Sequence, residues 1–199
     1  MNKLISTLLS PFQNNSTKII TEKNILRQKV CELKSQITEV QKQKDADSVF
    51  NKIESLLEFK KAKTILIYWS SSDELPTHAI VEKWSCEKKI LLPSVQGDDI
   101  TIKRYDIKQK MTKGILGIWE PEISENYNEK IDLVIVPGVT FDLKKNRLGR
   151  GKGYYDRFLK HTKAPKWGIG FDCQLISSIP TNKQDVRMDK IITPSQIIE

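Results

Sequence analysis

Three of the chain's nine glycines, Gly149, Gly151 and Gly153, alternate within five residues, and Lys144, Lys145, Arg147, Arg150, Lys152 and Arg157 surround them. Glycines at alternate positions let the backbone turn so that successive N–H groups converge on one anion, with no Cβ in the way. The flanking guanidinium and ammonium groups add charge and fork-shaped donors that match phosphate or carboxylate oxygens. Tyr154, Tyr155 and Asp156 follow at once, supplying aromatic surface and a hard oxygen ligand of the kind Mg²⁺ takes. The segment reads as a phosphate cradle, although composition alone also allows a basic surface loop. It matches neither common nucleotide motif. A P-loop needs Ser or Thr after its lysine, where Gly153 follows Lys152, and the dinucleotide fingerprint needs a final glycine where this chain has Tyr154.

Other residues could join that chemistry. Lys23 and Arg27 are four apart, so on a helix they share a face and can converge on one anion; a solvated helix face is the plainer reading. Asp73 and Glu74 are either acids of a binding loop or capping acids for a helix near Thr77. Asp156 could pair with Arg157 or cap a helix, and Asp185 sits in a charged tail. His78 and His161 have no partner pattern, and no Ser-His-Asp or Cys-His arrangement is legible. Cys31, Cys86 and Cys173 lack CxxC spacing; they imply reduced, buried thiols rather than a disulfide framework or zinc site.

The elements that must position these residues follow from periodicity. Ile25, Leu26, Val30, Leu33, Ile37 and Val40 predict an amphipathic helix over about Thr21–Lys44, with Thr21 as N-cap. A second helix is predicted over Asp47–Phe59, with Val49, Phe50, Ile53, Leu56 and Leu57 inward. Thr64–Trp69 and Ile131–Val136 are continuous apolar runs typical of strands buried on both faces. Further strands are expected at Lys89–Val95, Ile100–Tyr105, Trp167–Phe171 and Ile191–Thr193, with helices at Thr77–Cys86 and Gly153–His161. Strands alternating with helices predict an α/β fold: one domain, a largely parallel central sheet flanked by helices, and the N-terminal helix pair packed on it. Residues 19–199 would form that domain, and 1–18 a poorly ordered extension rather than a signal peptide. Ligands of such sheets sit at the carboxyl ends of strands, so the glycine loop and the Asp73–Glu74 loop would reach the same rim.

At 199 residues, with 38% hydrophobic and 29% charged residues, the chain suits one buried core. No apolar run approaches the roughly 20 residues of a membrane span. A formal charge of +8 favours an anionic partner. Trp69, Trp84, Trp119 and Trp167 are scattered, so they do not form a stacking strip for nucleic acid. A non-catalytic anion binder and an α/β transferase acting on a phosphorylated sugar or thioester stay open on these grounds.

The segments VPGVTFD (136–142) and NRLGRGKGYYDRF (146–158) resemble the signature of the 5-formyltetrahydrofolate cyclo-ligase family, also called methenyltetrahydrofolate synthetases. KNILR (23–27), SSDELPT (71–77), GIWEP (117–121) and QDVRMDKIITP (184–194) fall in the family's order, so the resemblance runs from Lys23 to Pro194. It implies an ATP- and Mg²⁺-dependent closure of 5-formyltetrahydrofolate to 5,10-methenyltetrahydrofolate through a phosphorylated formyl group. By the same resemblance, Lys23, Arg27 and the run Arg147, Leu148, Gly149, Arg150, Gly151, Lys152, Gly153, Tyr154 and Tyr155 would hold ATP. Arg27, Trp69, Glu74 and Arg150 through Tyr154 would meet the folate, with Arg150, Lys152 and Tyr154 closest to the chemistry. Asp156 and Asp185 would hold Mg²⁺, although Gln184 stands where relatives often have His or Asn. A cytoplasmic monomer with small-molecule substrates, and neither nucleic acid nor membrane as partner, is the corresponding expectation.

Overall fold

The computed structural model describes residues 11–114, 117, 119–122 and 126–199. Helices α1 (Pro11–Ser35), α2 (Glu39–Ser55) and α3 (Leu57–Lys61) precede strand β1 (Thr64–Leu66). Then come α4 (His78–Ser85), β2 (Lys89–Gln96), β3 (Asp99–Arg104), β4 (Met111–Lys113), β5 (Trp119–Pro121), β6 (Leu133–Pro137), β7 (Thr140–Asp142) and β8 (Arg147–Leu148). The chain ends with α5 (Tyr154–His161), β9 (Lys166–Ile169), a 3₁₀ turn (Asp172–Gln174), β10 (Leu175–Ile176), β11 (Lys190–Ile192) and β12 (Ile197–Ile198).

The central sheet has seven strands in the order β12-β11-β9-β6-β1-β2-β3. Its inner strands are parallel, and only the edges β3 and β12 run antiparallel. Inner strands are apolar throughout because both faces are covered, and the period of two divides their side chains between two cores. Ile65, Ile90, Leu133 and Ile135 meet Phe50 and Ile53 of α2, Phe59 of α3 and Trp84 of α4. Leu66, Leu91, Val134 and Val136 face Phe141, Leu159 of α5 and Met188. The α/β architecture with a mostly parallel sheet is therefore as the sequence predicts. From β1 the chain steps to β2 on one side and later to β6 on the other. The loops leaving β1 and β6 diverge there and open a crevice at the strands' carboxyl ends.

The N-terminal helices differ from expectation. α1 starts at Pro11 and stops at Ser35, so residues 11–18 of the supposed extension are helical; residues 1–10 lie outside the described residues. Thr21 is inside α1, its hydroxyl donating to Thr17 O (3.0 Å), and the cap falls instead on Thr38 at the start of α2. Leu56, in an extended conformation, divides the second predicted helix into α2 and α3. The inward face of α1 is also different: Lys23, Val30 and Lys34 are buried, whereas Ile25 and Leu33 are exposed, as is Val40 of α2. α2 lies against β11 of the main sheet, but α1 lies across β7 and the 3₁₀ turn. That surface is polar, so it selects the helix's cations rather than its apolar stripe.

Candidate active site

A second, three-stranded sheet, β10-β7-β8, presents the glycine loop. Its β7–β8 turn is built on Asp142, which is wholly buried. The Asp142 carboxylate accepts from the N–H groups of Lys144, Asn146 and Ile179 and from Asn146 Nδ2, all at 2.9 Å. These bonds hold Lys145 at φ +65° and return the chain through β8 towards the crevice. The loop then runs from Gly149 to Gly153, and α5 begins at Tyr154. Gly151 at φ +103° and Gly153 at φ +72° occupy the left-handed region, where a Cβ is strained. Arg27 of α1 lies over Gly151 and donates from Nε to Gly149 O (2.9 Å).

Lys23, Arg147 and Arg150 each meet acceptors. Lys23 Nζ bonds both oxygens of Asp185 (2.8 and 2.6 Å). Arg147, nearly fully buried, donates to Pro137 O (3.1 Å) and Asp156 Oδ2 (3.0 Å). Its Nε is buried without a partner, and its guanidinium lies 5.4 Å from the Tyr155 ring. Arg150 Nη2 reaches across the crevice to Ser71 Oγ (2.9 Å), Asp73 Oδ1 (2.6 Å) and Glu74 Oε1 (3.2 Å). Glu74 Oε2 accepts from Ser71 N (3.0 Å). The acids at 73 and 74 thus face the loop rather than cap α4. Thr77, before α4, spends its hydroxyl on Tyr68 O (2.8 Å).

Between the two loops lies a cavity of about 390 Å³, lined among others by Trp69, Glu74, Arg150, Lys152, Tyr154 and Tyr155. Trp69 is half-buried on its wall, stacked on His78 with ring centres 4.2 Å apart. The Tyr155 hydroxyl is buried without a partner, and burial, with Glu74 adding to it, pushes its pKa up. It is a neutral donor held at the cavity's inner end. Of the run 147–155, Leu148, whose side chain is buried, and Gly151 do not line the cavity. A larger open groove of about 1120 Å³ beside the far end of α5 gathers none of residues 147–156.

Asp156 and Asp185 come close in the fold, since Asp156 Oδ1 accepts from the N–H of Val186 (3.3 Å). Among the described residues no cluster of three or more His, Cys, Asp or Glu could hold a metal. Two carboxylates suit Mg²⁺ when phosphate and water complete its shell, so the donor set fits the ion only together with a phosphate ligand.

Periodicity did not reveal Lys34. It lies seven residues after Arg27 and eleven after Lys23, on the same helix face; that spacing was the available signal. Its buried Nζ donates to Asp73 Oδ2 (2.7 Å) and Asp73 O (2.8 Å). On α2, Lys42 donates to Ser72 O (2.7 Å). Two buried lysines therefore fasten the loop that carries Glu74. Burial disfavours the charged Asp73, but bonds from Lys34, Arg150 and Ser71 outweigh it and hold its carboxyl well below the ordinary value of 3.8. A folded-state pKa depressed in this way adds stability that is present above 3.8 and lost as pH falls below it. The melting temperatures of wild type and Asp73→Asn are expected to differ at pH 7 and to converge as pH drops below about 4. Thermal melts across that range check it; a constant gap would show that Asp73 gains nothing from its charge.

An acidic loop after β1 and a basic, glycine-rich loop before α5 thus meet at a strand-order reversal, the place where α/β enzymes hold their ligands. The model of the 5-formyltetrahydrofolate cyclo-ligase family matches residues 19–194. The cyclo-ligase of Haemophilus influenzae is 30% identical over 178 residues, covering 84% of this chain and 95% of that protein. A probable cyclo-ligase of Caenorhabditis elegans is 30% identical over 194 residues, covering 88% and 94%. Among solved structures, the 5,10-methenyltetrahydrofolate synthetase of Aquifex aeolicus superposes with a TM-score of 0.81 at 34% identity, covering 88% of this chain and 91% of that one. The chain belongs to the 5-formyltetrahydrofolate cyclo-ligase family and is a ligase of folate metabolism. No helix among the described residues is long and apolar enough to cross a membrane.

Proposed function

We propose that this enzyme closes 5-formyltetrahydrofolate to 5,10-methenyltetrahydrofolate, converting ATP to ADP and phosphate. The observation that carries the reading is the convergence of the cationic glycine loop and the Glu74 loop on one cavity at the β1–β6 crevice. An amide oxygen leaves poorly as hydroxide and well as phosphate. The formyl oxygen attacks the γ-phosphate, giving a phosphorylated imidate and ADP. N10 of the folate then adds to the activated carbon, and loss of phosphate and the N10 proton leaves the methenyl bridge.

Phosphoryl transfer asks a protein mainly for positioning and for charge placed where negative charge spreads. Lys23, Arg27 and the loop N–H groups would hold the triphosphate, and Arg150 and Lys152 would face the transferring group. Arg147, being buried, would act by fixing the loop and Asp156 rather than by meeting solvent-side phosphate oxygens. Glu74 would accept from neighbouring pterin N–H donors, which a carboxylate can take together. Trp69 would wall the ring, and Tyr154 would border the formyl group. Asp156 and Asp185 would hold Mg²⁺, which supplies charge neutralisation across the phosphates. No side chain is needed as a covalent nucleophile.

The test is near-ultraviolet absorbance of enzyme with 5-formyltetrahydrofolate and MgATP. The methenyl band is expected only when enzyme, folate, ATP and Mg²⁺ are all present. Its growth without nucleotide, or its absence with a folded, ATP-binding protein, would overturn the reading.

A further inference from the structure

We propose that Lys34 is a positioning residue that keeps Arg150 transferable from the protein to a bound phosphate. This inference rests on the reading of the loop as an ATP cradle. Asp73 stands between two cations: Oδ2 is bonded to Lys34 (2.7 Å), and Oδ1 to Arg150 (2.6 Å). The two ends differ. The Lys34 side chain is 4% exposed and also fixed to Asp73 O, whereas Arg150 is 55% exposed and all three of its bonds leave from Nη2. Lys34 is the permanent partner, and Arg150 is the one that can move.

Two positive and two negative groups, Lys34, Arg150, Asp73 and Glu74, balance while Arg150 bridges the crevice. When Arg150 turns to a phosphate, Asp73 and Glu74 are left beside an incoming anion, compensated by Lys34 alone. Without Lys34 the wall would carry two uncompensated carboxylates, and Asp73 would direct its whole charge at Arg150. Lys34 therefore sets the strength of a latch whose other half is catalytic. Lys34 itself does not line the cavity.

The experiment is calorimetric titration of MgATP and of inorganic tripolyphosphate into the full chain at one ionic strength. Lys34→Met is expected to weaken both anions about tenfold, mid-range for coupled charges. Lys34→Arg is expected to retain wild-type affinity. Asp73→Asn is expected to tighten both by a few-fold, because Arg150 is released, and the double variant Lys34→Met/Asp73→Asn is expected to recover the affinity lost in Lys34→Met. A lysine that merely props the loop would give the opposite order, with the double variant worse than either single one; that result, or weaker binding in Asp73→Asn, overturns the proposal. If Lys34→Met does not fold, Asp73→Asn and Lys34→Arg decide alone. A wild-type protein that binds neither anion removes the nucleotide reading itself, a failure distinct from a wrong order among variants.

Discussion

Arg150→Ala is expected to lower turnover by about 100- to 1,000-fold, the cost typical of losing one preorganised donor to a developing charge. The fold is expected to survive. Arg150 is more than half exposed, and its bonds to Asp73 and Glu74 form a partly solvated pair of modest worth. Melting temperature and turnover therefore separate the two roles: a change of only a few degrees beside a large fall in kcat marks a group acting on the reaction. Lys would be a poor substitute, since a compact ammonium lacks the planar, two-pronged set of donors that a guanidinium can turn to phosphate oxygens. A near-normal rate in Arg150→Ala would mean that the guanidinium seen bridging the crevice stays there throughout the cycle.

That result would also divide ground-state from transition-state binding. If Arg150 already grips ATP in the resting complex, its loss raises the KM for ATP together with the fall in kcat. If it leaves Asp73 only as charge moves onto the transferring phosphoryl group, KM stays nearly constant and kcat carries the loss. The partly solvated bridge to Asp73 and Glu74 is readily exchanged for a bound phosphate, so the first pattern is expected.

Much of this was legible from residue types. The continuous apolar runs became β1 and β6 because a strand covered on both faces needs no polar alternation. Glycines at 151 and 153 announced backbone that only glycine adopts easily, and both have positive φ. Partner choice was less legible. Asp156 pairs with Arg147, nine residues back across the loop, instead of the adjacent Arg157. Arg157 turns away to Asp99 and stacks on Tyr154. α1 reversed the periodicity argument: hydrophobic spacing assumes an apolar surface beneath a helix, whereas this one lies on Asp185, Asp73 and a loop carbonyl. Three lysines and arginines on one face therefore turn inward, and isoleucines face solvent. Such a reversal becomes readable only once the surface being covered is known.

The pairing of Arg147 with Asp156 leads to the second large effect. Asp156→Ala is expected to destabilise the protein by about 3 kcal/mol, the lower end for breaking a buried pair, since Asp156 keeps some exposure. For a chain of this size that corresponds to a fall of roughly 10 °C in melting temperature. The reason lies in what stays behind: the Arg147 side chain is 3% exposed and its Nε already lacks a partner, so Pro137 O and the face of the Tyr155 ring would be left to meet its charge. Asp156→Asn leaves an amide oxygen for the same Nη2 and is expected to melt within a few degrees of wild type. Comparing the two variants separates the structural role of this carboxylate from its proposed role towards Mg²⁺. The asparagine protein, folded but without the anionic oxygen, is expected to bind ATP with little benefit from added Mg²⁺, whereas the wild type gains affinity. Equal melting of Asp156→Ala and wild type would show that Arg147 finds another acceptor. Full Mg²⁺ enhancement in Asp156→Asn would move the ion's anchorage to Asp185, whose bonded cation, Lys23, approaches on flexible methylenes and can withdraw.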